Sequence, residues 1–265
     1  MRNAREKKTP SFQAATLLFD IGNTHTHVGI AEGDTIATQF NLSTGLWLDD
    51  RAARQICKII KGNHISFAAI SSVVPRTTSK VRRFVKSLGL PQPFQLGPGT
   101  VTSIGIDYPK PKTIGPDRLA NAIAARAVAG APVIVVDFGT AVTFDVVDRN
   151  GNYVGGIIAP GLAAMTDYLH EKTALLPRIK IHETEAAIGK NTGEAMLIGA
   201  VHGYRGLIRE LIVRLKKELK VSSLPVLATG GYAKLMAQGL PEITAVEPLL
   251  TLKGLLIASR AANKH

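Results

Sequence analysis

The stretch Asp20-Ile21-Gly22-Asn23-Thr24-His25-Thr26 has a counterpart later in the chain, Asp137-Phe138-Gly139-Thr140-Ala141-Val142-Thr143. The two segments share Asp, Gly and Thr at their first, third and seventh positions and lie 117 residues apart. Each follows an apolar run that predicts a buried strand, and each precedes a second strand closed by a tight turn. One supersecondary unit therefore occurs twice. This repeat predicts an α/β fold of two similar lobes that face a cleft.

Apolar periodicity outside the two segments places the remaining elements. We expect a basic, flexible tail over residues 1–15, a first lobe over 16–115 and a second lobe over 116–265. The predicted strands cover 16–19, a run ending near residue 30, 35–42, 66–74, 132–136, a run ending at 147, 153–158 and 225–228. The predicted helices cover 46–60, 77–88, 117–129, 161–170, 192–220, 232–238 and 249–262, and 91–111 is expected to be mostly loop.

The repeated Asp-x-Gly turn has the composition of a phosphate-binding loop. A carboxylate at the end of a buried strand can hold a hydrated divalent cation. Gly lets the backbone approach a ligand closely, and consecutive backbone N–H groups form a concavity that binds anions. Two such loops from opposing lobes can clamp a polyphosphate between them. The alternative is a pair of hairpin turns capped by Asp and Asn side chains.

A second group of candidate residues opens the Ala-rich helix, at Gly115-Pro116-Asp117-Arg118. The Asp117 carboxylate can accept a proton from a hydroxyl group, while the Arg118 guanidinium can hold an acidic substrate by two hydrogen bonds. Tyr108, in the preceding loop, offers a wall or a hydrogen-bond donor. The alternative is structural, because Pro and Asp are also common in the first turn of a helix.

Other nucleotide and metal motifs are weak or missing. Thr229-Gly230-Gly231 follows a strand and opens a helix, as a loop against a nucleoside does, but paired glycines are common. Residues 156–161 have the glycine spacing of a P-loop without its Lys and Ser/Thr, and no Gly-x-Gly-x-x-Gly follows a strand. His25 and His27 share one face of a strand but have no third candidate ligand nearby.

Composition limits the classes of partner. Lys and Arg total 32 against 20 Asp and Glu, a net charge of +12 that favours acidic partners. The chain has one cysteine, Cys57, which excludes an internal disulfide and a zinc site of several thiolates. We expect that cysteine to be a small buried apolar residue. The N-terminal apolar run 14–19 is too short for a signal peptide or a membrane span, so we expect a soluble cytoplasmic protein.

Taken together, these motifs resemble those of the type III pantothenate kinases in order and spacing. The resemblance covers about residues 16–263. It rests on Asp20-x-Gly22-Asn23-Thr24, Ser71-Ser72-Val73-Val74-Pro75, Gly115-x-Asp117-Arg118, Asp137-x-Gly139-Thr140-Ala141, Gly155-Gly156-x-Ile158-x-Pro160-Gly161, Gly189-Lys190-Asn191-Thr192 and Thr229-Gly230-Gly231.

The resemblance implies a fold, a reaction and a set of roles. The family belongs to the superfamily of acetate and sugar kinases, heat-shock ATPases and actin, with two ribonuclease H-like lobes and an active site in the cleft between them. The implied reaction is ATP-dependent phosphorylation of pantothenate to 4'-phosphopantothenate, the first step of coenzyme A biosynthesis, with Mg²⁺ and with K⁺ or NH₄⁺ as cofactors. A homodimer with sites completed across its interface is also implied.

The resemblance also assigns residues. Asp117 matches the general base, and Asp137 matches the ligand of the monovalent cation. Asp20 is expected to hold Mg²⁺ through the phosphates. The implied ATP-binding residues are Asp20, Gly22, Asn23, Thr24, Thr26, Gly139, Thr140, Thr229, Gly230 and Gly231. The implied pantothenate-binding residues are Tyr108, Gly115, Pro116, Asp117, Arg118 and Thr192.

The sequence departs from the family at two positions, and other functions stay open. Asn41 replaces a frequent Arg, so a contact in the first lobe is expected to be lost, and Pro116 replaces Ala or Val. Another small-molecule kinase of the same superfamily is one alternative. A basic nucleic-acid-binding regulator is the alternative from a different class, but aromatic residues are only 5% of the chain and are not interleaved with the charges.

Overall fold

The computed structural model describes residues 14–263, and the chain divides into two compact units, residues 1–95 and 96–265. Almost all of the tail predicted over residues 1–15 lies outside the described residues. The sequence analysis ended the first lobe at residue 115, whereas residues 96–115 group with the second unit. A short strand at Gly105–Ile106 explains this grouping, because it pairs with a strand of the second unit.

The first unit is built on a five-stranded mixed sheet. Its strands are β1 (Ala15–Ile21), β2 (His25–Glu32), β3 (Thr35–Ser43), β4 (Ile65–Ser72) and β5 (Phe94–Gln95), in the order β3-β2-β1-β4-β5. The first three strands form an antiparallel meander, and β4 and β5 run parallel to β1. The predicted strand, tight turn and strand around Asp20 are confirmed.

Two helices and an aromatic cluster complete the first unit. Helix α1 (Arg51–Ile60) lies between β3 and β4 in the chain, and α2 (Pro75–Ser87) lies between β4 and β5. The core contains the rings of Phe19, Trp47 and Phe84, which meet edge to face with centroids 5.8–6.4 Å apart. Such edge-to-face pairs add to the apolar burial of the rings.

The second unit is built on a six-stranded mixed sheet. Its strands are β6 (Gly105–Ile106), β7 (Val133–Phe138), β8 (Ala141–Val147), β9 (Asn152–Pro160), β10 (Val226–Thr229) and β11 (Ala245–Val246). The order is β11-β10-β7-β8-β9-β6, with β7, β8 and β9 antiparallel and with β10 and β11 parallel to β7. Without β6, this is the topology of the first sheet. The internal repeat read from the two Asp-x-Gly segments is therefore confirmed at the level of strand order.

Six helices accompany the second sheet. They are α3 (Pro116–Ala129), α4 (Leu162–Lys172), α5 (Thr192–Ile198), α6 (Tyr204–Glu218), α7 (Ala233–Ala237) and α8 (Leu250–Ala262). A π-helical turn, Gly199–Gly203, joins α5 to α6. Helix α8 packs closely on α3, since a Cβ at Gly254 would lie 1.8 Å from the carbonyl oxygen of Ala120.

Two sequence predictions need correction. The predicted helix 46–60 is a short 3₁₀ turn, Thr44–Trp47, followed by α1. The prediction that 91–111 is mostly loop is confirmed, with only the two-residue strands β5 and β6 in it. The prediction that Cys57 is buried is wrong. Helix α1 turns Ala52, Ile56 and Ile60 toward the core, so the next residue along the chain from Ile56 faces solvent. Among residues 14–263, no helix has the length and apolar character needed to cross a membrane.

Candidate active site

The Asp20 loop of the first unit is a tight turn held by side chains of its own unit. The N–H of Gly22 donates to the carbonyl of His25 at 2.9 Å, and Ser71 Oγ donates to Asp20 Oδ1 at 3.1 Å. Thr44 Oγ1 donates to the Gly22 carbonyl at 2.7 Å and lies 3.0 Å from Thr26 Oγ1. These bonds fix the backbone of the loop.

The structure separates the side chains of this loop into two groups. Asn23 and Thr24 are exposed at the tip of the turn, so a ligand can reach them. Thr26 is fully buried against Thr44, a position from which its side chain supports the loop. Asn41 lies on β3 opposite His27 of β2, and its Oδ1 is 2.7 Å from His27 Nδ1.

The Asp137 loop of the second unit has a glycine at each point of close approach. Gly230 has φ +89°, and a Cβ there would lie 2.6 Å from Asp137 Oδ1 and 2.7 Å from the Phe138 backbone. A Cβ on Gly161 would lie 2.2 Å from the carbonyl oxygen of Thr140. Because Asp137 and Thr229 are paired in the parallel β7 and β10, the Thr229-Gly230-Gly231 segment lies directly beside this loop.

A relay from α8 orients the Asp137 carboxylate. Asn121 Nδ2 donates to Asp137 Oδ2 at 3.0 Å, and Thr251 Oγ1 donates to Asn121 Oδ1 at 2.8 Å. Asn121 is only 1% exposed, and these two hydrogen bonds occupy both the nitrogen and the oxygen of its amide. Sequence analysis missed Asn121, although it lies four residues after Asp117 and therefore on the same face of α3.

The first turn of α3 presents the Asp117 carboxylate. Gly115 precedes the helix, and a Cβ there would lie 2.4 Å from Asp117 Oδ1, so glycine leaves the room that the carboxylate occupies. The backbone N–H of Arg118 donates to Asp117 Oδ1 at 2.9 Å. Burial raises the pKa of the Asp117 carboxyl, against the effect of Arg118, which makes this carboxylate a better proton acceptor than an exposed one.

The Arg118 side chain turns toward β8. Its Nε donates to Asp145 Oδ1 at 2.6 Å, and its Nη2 donates to the carbonyl of Phe144 at 2.8 Å. Asp145 is fully buried, and burial raises its pKa to about 7 even though Arg118 acts to lower it. Sequence analysis missed Asp145. Its signal was a single carboxylate within the apolar run of β8, two residues after Thr143 and on the same face of the sheet.

Two tyrosines and two glycines complete the surroundings of Arg118. The rings of Tyr108 and Tyr153 meet edge to face with centroids 6.1 Å apart, and Arg118 Cζ lies 5.9 Å from the centroid of Tyr153. Gly155 has φ +126°, and a Cβ there would lie 3.3 Å from the Tyr108 ring. A Cβ on Gly156 would lie 2.7 Å from Arg118 Nη2. Tyr108, Gly155, Gly156 and Arg118 therefore form one packed group.

Thr192 makes no hydrogen bond to this group among the described residues. It is the exposed first residue of α5, whose cap is made by Asn191 Oδ1 accepting from the N–H of Glu194 at 2.9 Å. Among the described residues, no hydrogen bond joins Thr192 to Tyr108, Asp117 or Arg118. Its predicted contact with pantothenate stays a prediction.

The described residues contain no cluster of three or more His, Cys, Asp or Glu side chains that could hold a metal ion. Asp137 Oδ1 lies against Gly230, where a Cβ would come within 2.6 Å of it. A cation there would need backbone, water or phosphate oxygens as its other ligands. That donor set fits a hard, weakly held cation.

Solved structures share this class of fold. A ROK family glucokinase from Streptomyces griseus, solved in complex with glucose and AMPPNP, has a similar structure with a TM-score of 0.52 and 16% sequence identity. The alignment covers 95% of this chain and 100% of that chain. The likeness shows a common fold, which in this chain consists of two mixed sheets flanked by helices.

Sequence similarity identifies the family within this class. The model of the type III pantothenate kinases matches residues 16–214. A type III pantothenate kinase from Akkermansia muciniphila is 43% identical over 244 residues, 92% of this chain and 97% of that protein. One from Methylacidiphilum infernorum is 40% identical over 250 residues, 94% of this chain and 89% of that protein. The chain belongs to the type III pantothenate kinase family.

The Asp137 loop can be tested at Gly230. In Gly230→Ala the new Cβ meets Asp137 and the Phe138 backbone at a strained φ, so we expect the free energy of unfolding to fall by about 1–3 kcal/mol. We also expect nucleotide affinity to fall at least about tenfold, because the loop must shift. Gly99→Ala is the control, since a Cβ there meets nothing within 4 Å. Urea unfolding and nucleotide titration measure both effects, and a folded Gly230→Ala with unchanged affinity would contradict the expectation.

Proposed function

We propose that this protein transfers the γ-phosphoryl group of ATP to the primary hydroxyl of pantothenate, giving 4'-phosphopantothenate for coenzyme A synthesis. Membership of the type III pantothenate kinase family supports the reaction. The observation that carries it is the half-buried Asp117 carboxylate in the first turn of α3. Its neighbour Arg118 pairs through its side chain with Asp145 and not with Asp117.

Asp117 acts as the general base in this proposal. Its carboxylate orients the pantothenate hydroxyl and accepts its proton as the bond to phosphorus forms. The raised pKa suits this role. The Arg118 guanidinium pairs with Asp145, so within the described residues Asp117 accepts only the backbone N–H of Arg118, at Oδ1. Phosphoryl transfer has a loose transition state, so most of the rate comes from positioning and charge neutralisation.

The neighbouring residues bind pantothenate. Arg118 offers a fixed guanidinium to the pantothenate carboxylate, and Tyr108 forms a wall beside it. Gly115 and Pro116 set the start of α3, and the rigid φ of proline suits the first helical position that Pro116 occupies. We assign Thr192 to the same substrate, reached from a second copy of the chain.

The two Asp-x-Gly loops bind ATP. In the first unit the residues that we assign to ATP are Asp20, Gly22, Asn23 and Thr24, and Thr26 supports the turn through Thr44. In the second unit they are Gly139, Thr140, Thr229, Gly230 and Gly231. That both loops contact one triphosphate stays a prediction.

Two cations belong to the proposal. Mg²⁺, carried by the ATP phosphates and held near Asp20, would spread the charge of the transferring group. K⁺ or NH₄⁺ near Asp137 would offset more of that charge. The relay from Thr251 through Asn121, which orients the Asp137 carboxylate, supports this second assignment.

Other functions have less support. The sugar-kinase fold alone permits another hydroxyl acceptor, but the match of the family model over residues 16–214 favours pantothenate. Nucleic acid binding has only the charge of +12 in its favour. A cytoplasmic location follows from the use of ATP as donor and is part of the proposal.

We also propose a homodimer formed through helix α4. Met165, Tyr168 and Leu169 share one face of that helix by their three- and four-residue spacing and are 38%, 61% and 41% exposed. Leu175 follows at 89% exposure, and the loop that carries it is held to the helix by His170 Nδ1, 2.9 Å from the Leu176 carbonyl oxygen. Exposed apolar patches of this kind mark protein interfaces, and a second copy would also bring Thr192 to the site.

The reaction is tested by coupled ADP release. We expect release that depends on pantothenate and is faster in potassium buffer than in sodium buffer, because sodium holds its hydration shell more tightly. A control without pantothenate measures background ATP hydrolysis. ADP release that ignores pantothenate would reject the proposed acceptor, and equal rates in the two buffers would reject the cation at Asp137.

The general base is tested by Asp117→Asn. The amide keeps the shape of the side chain but accepts no proton, so we expect kcat to fall by about 10²–10⁴-fold. Pantothenate binding, followed by calorimetry, should stay measurable. Asp50→Asn is the control, since Asp50 is exposed, its side chain makes no cap hydrogen bond to α1, and asparagine tolerates its φ of 60°. Unchanged turnover in Asp117→Asn would contradict the assignment.

The homodimer is tested by light scattering on the purified chain. We expect twice the mass of one chain, and Tyr168→Asp should shift the mass toward the monomer because it buries a charge at the interface. Val213→Asp is the matched control, since Val213 is also an exposed apolar residue but lies on α6. A monomeric wild-type chain would contradict the proposal.

A further inference from the structure

Asp145 is a fully buried carboxylate within an apolar strand. Its neighbours along β8 are Phe144 and Val146, which are also buried. Its Oδ1 accepts from Arg118 Nε at 2.6 Å and, over a longer 3.4 Å, from the Tyr153 hydroxyl. Its Oδ2 has no hydrogen-bond partner among the described residues. Burying a carboxylate in this way costs stability, and an apolar residue would fill the same space more favourably.

Two hydrogen bonds on one side fix the Arg118 guanidinium, beside a glycine that leaves room for it. Nε donates to Asp145, Nη2 donates to the Phe144 carbonyl, and the absent Cβ of Gly156 leaves space for Nη2. Within the described residues Nη1 makes no hydrogen bond to the protein. The planar guanidinium is therefore anchored along one edge and presents the opposite edge for a ligand.

Without Asp145, Asp117 would be the carboxylate available to pair with the Arg118 guanidinium. The two residues are adjacent in sequence, and an arginine beside a carboxylate lowers the pKa of that carboxylate and occupies its oxygens. In the structure, Asp117 receives the backbone N–H of Arg118 and not its guanidinium. Asp145 thus competes with Asp117 for the Arg118 guanidinium, and it holds that guanidinium by a short ion pair.

We propose that Asp145 is a positioning residue. It holds the Arg118 guanidinium away from Asp117 and turned so that Nη1 meets the carboxylate of pantothenate. Asp145 itself touches neither substrate nor ATP. This inference rests on the proposed function and adds the residue on which recognition of the acidic end of the acceptor depends.

The test compares two acceptors in Asp145→Asn. One is pantothenate, and the other is the analogue in which a primary alcohol replaces the carboxylate. Without the charge of Asp145, Arg118 is held less firmly, so the preference of the enzyme for pantothenate over the alcohol, measured as a ratio of kcat/KM, should fall about tenfold. The KM for pantothenate should rise by a similar factor, while the KM for ATP stays within about twofold.

The control is Glu242→Gln. Glu242 also pairs with an arginine, Arg209 Nε at 2.8 Å, and also has one buried carboxylate oxygen without a partner. It belongs to no part of the proposed site, so its variant should keep the wild-type preference. In addition, Arg118→Gln should remove most of the preference, and adding Asp145→Asn to it should cost little more, because the residue being positioned is already gone.

The outcomes separate the possibilities. A folded Asp145→Asn that loses the same factor on both acceptors would show a structural role and overturn the inference. If that variant is unfolded by circular dichroism, Tyr153→Phe replaces it, since it removes only the hydroxyl that contacts Asp145. Its preference should then fall about twofold, and an unchanged preference would overturn the inference. Failure of the wild-type chain to phosphorylate pantothenate would instead reject the proposed function.

Discussion

The ion pair between Arg118 and Asp145 joins the start of α3 to the middle of β8. Its 2.6 Å contact lies in a setting that excludes most solvent, where an unpaired charge of either sign would be strongly unfavourable. Because Asp117 is the residue immediately before Arg118, the same pair fixes the position of the carboxylate that we assign as the base. The arrangement of the candidate active site in the second unit therefore depends on where one guanidinium is held.

Helix α3 links the two groups of site residues in the second unit. Its first turn carries Asp117 and Arg118, and its second turn carries Asn121, which donates to Asp137. One rigid element thus positions both the carboxylate that we propose as the base and the one that we propose as the cation ligand. Sites built on helices and strands hold their geometry more closely than sites built on loops. The glycines at 156, 161 and 230 then leave the space into which these side chains fit.

The repeat of one strand arrangement in the two sheets could be predicted from the sequence. Several contacts of the candidate site could not be predicted, and the reasons are physical. The repeat of Asp20 and Asp137 at the ends of apolar strands gave the duplicated sheet topology, because strand alternation and turn chemistry are local signals. Asp145, Asn121 and Thr251 were missed because their roles depend on contacts across 16 to 130 residues of chain. The exposure of Cys57 was mispredicted from its residue type, although the helical phase of Ala52, Ile56 and Ile60 already indicated it.

The packing of α8 on α3 connects the last helix to the candidate active site. Gly254 lies against the Ala120 carbonyl, and Thr251 reaches Asn121 and through it Asp137. The family model ends at residue 214, well before this helix begins. A protein trimmed to that matched region would keep Asp117 and Asp137 but lose the contacts that α8 makes with α3 through Gly254 and Thr251. Choices of expression boundary for this enzyme should therefore retain the final helix as part of the catalytic domain.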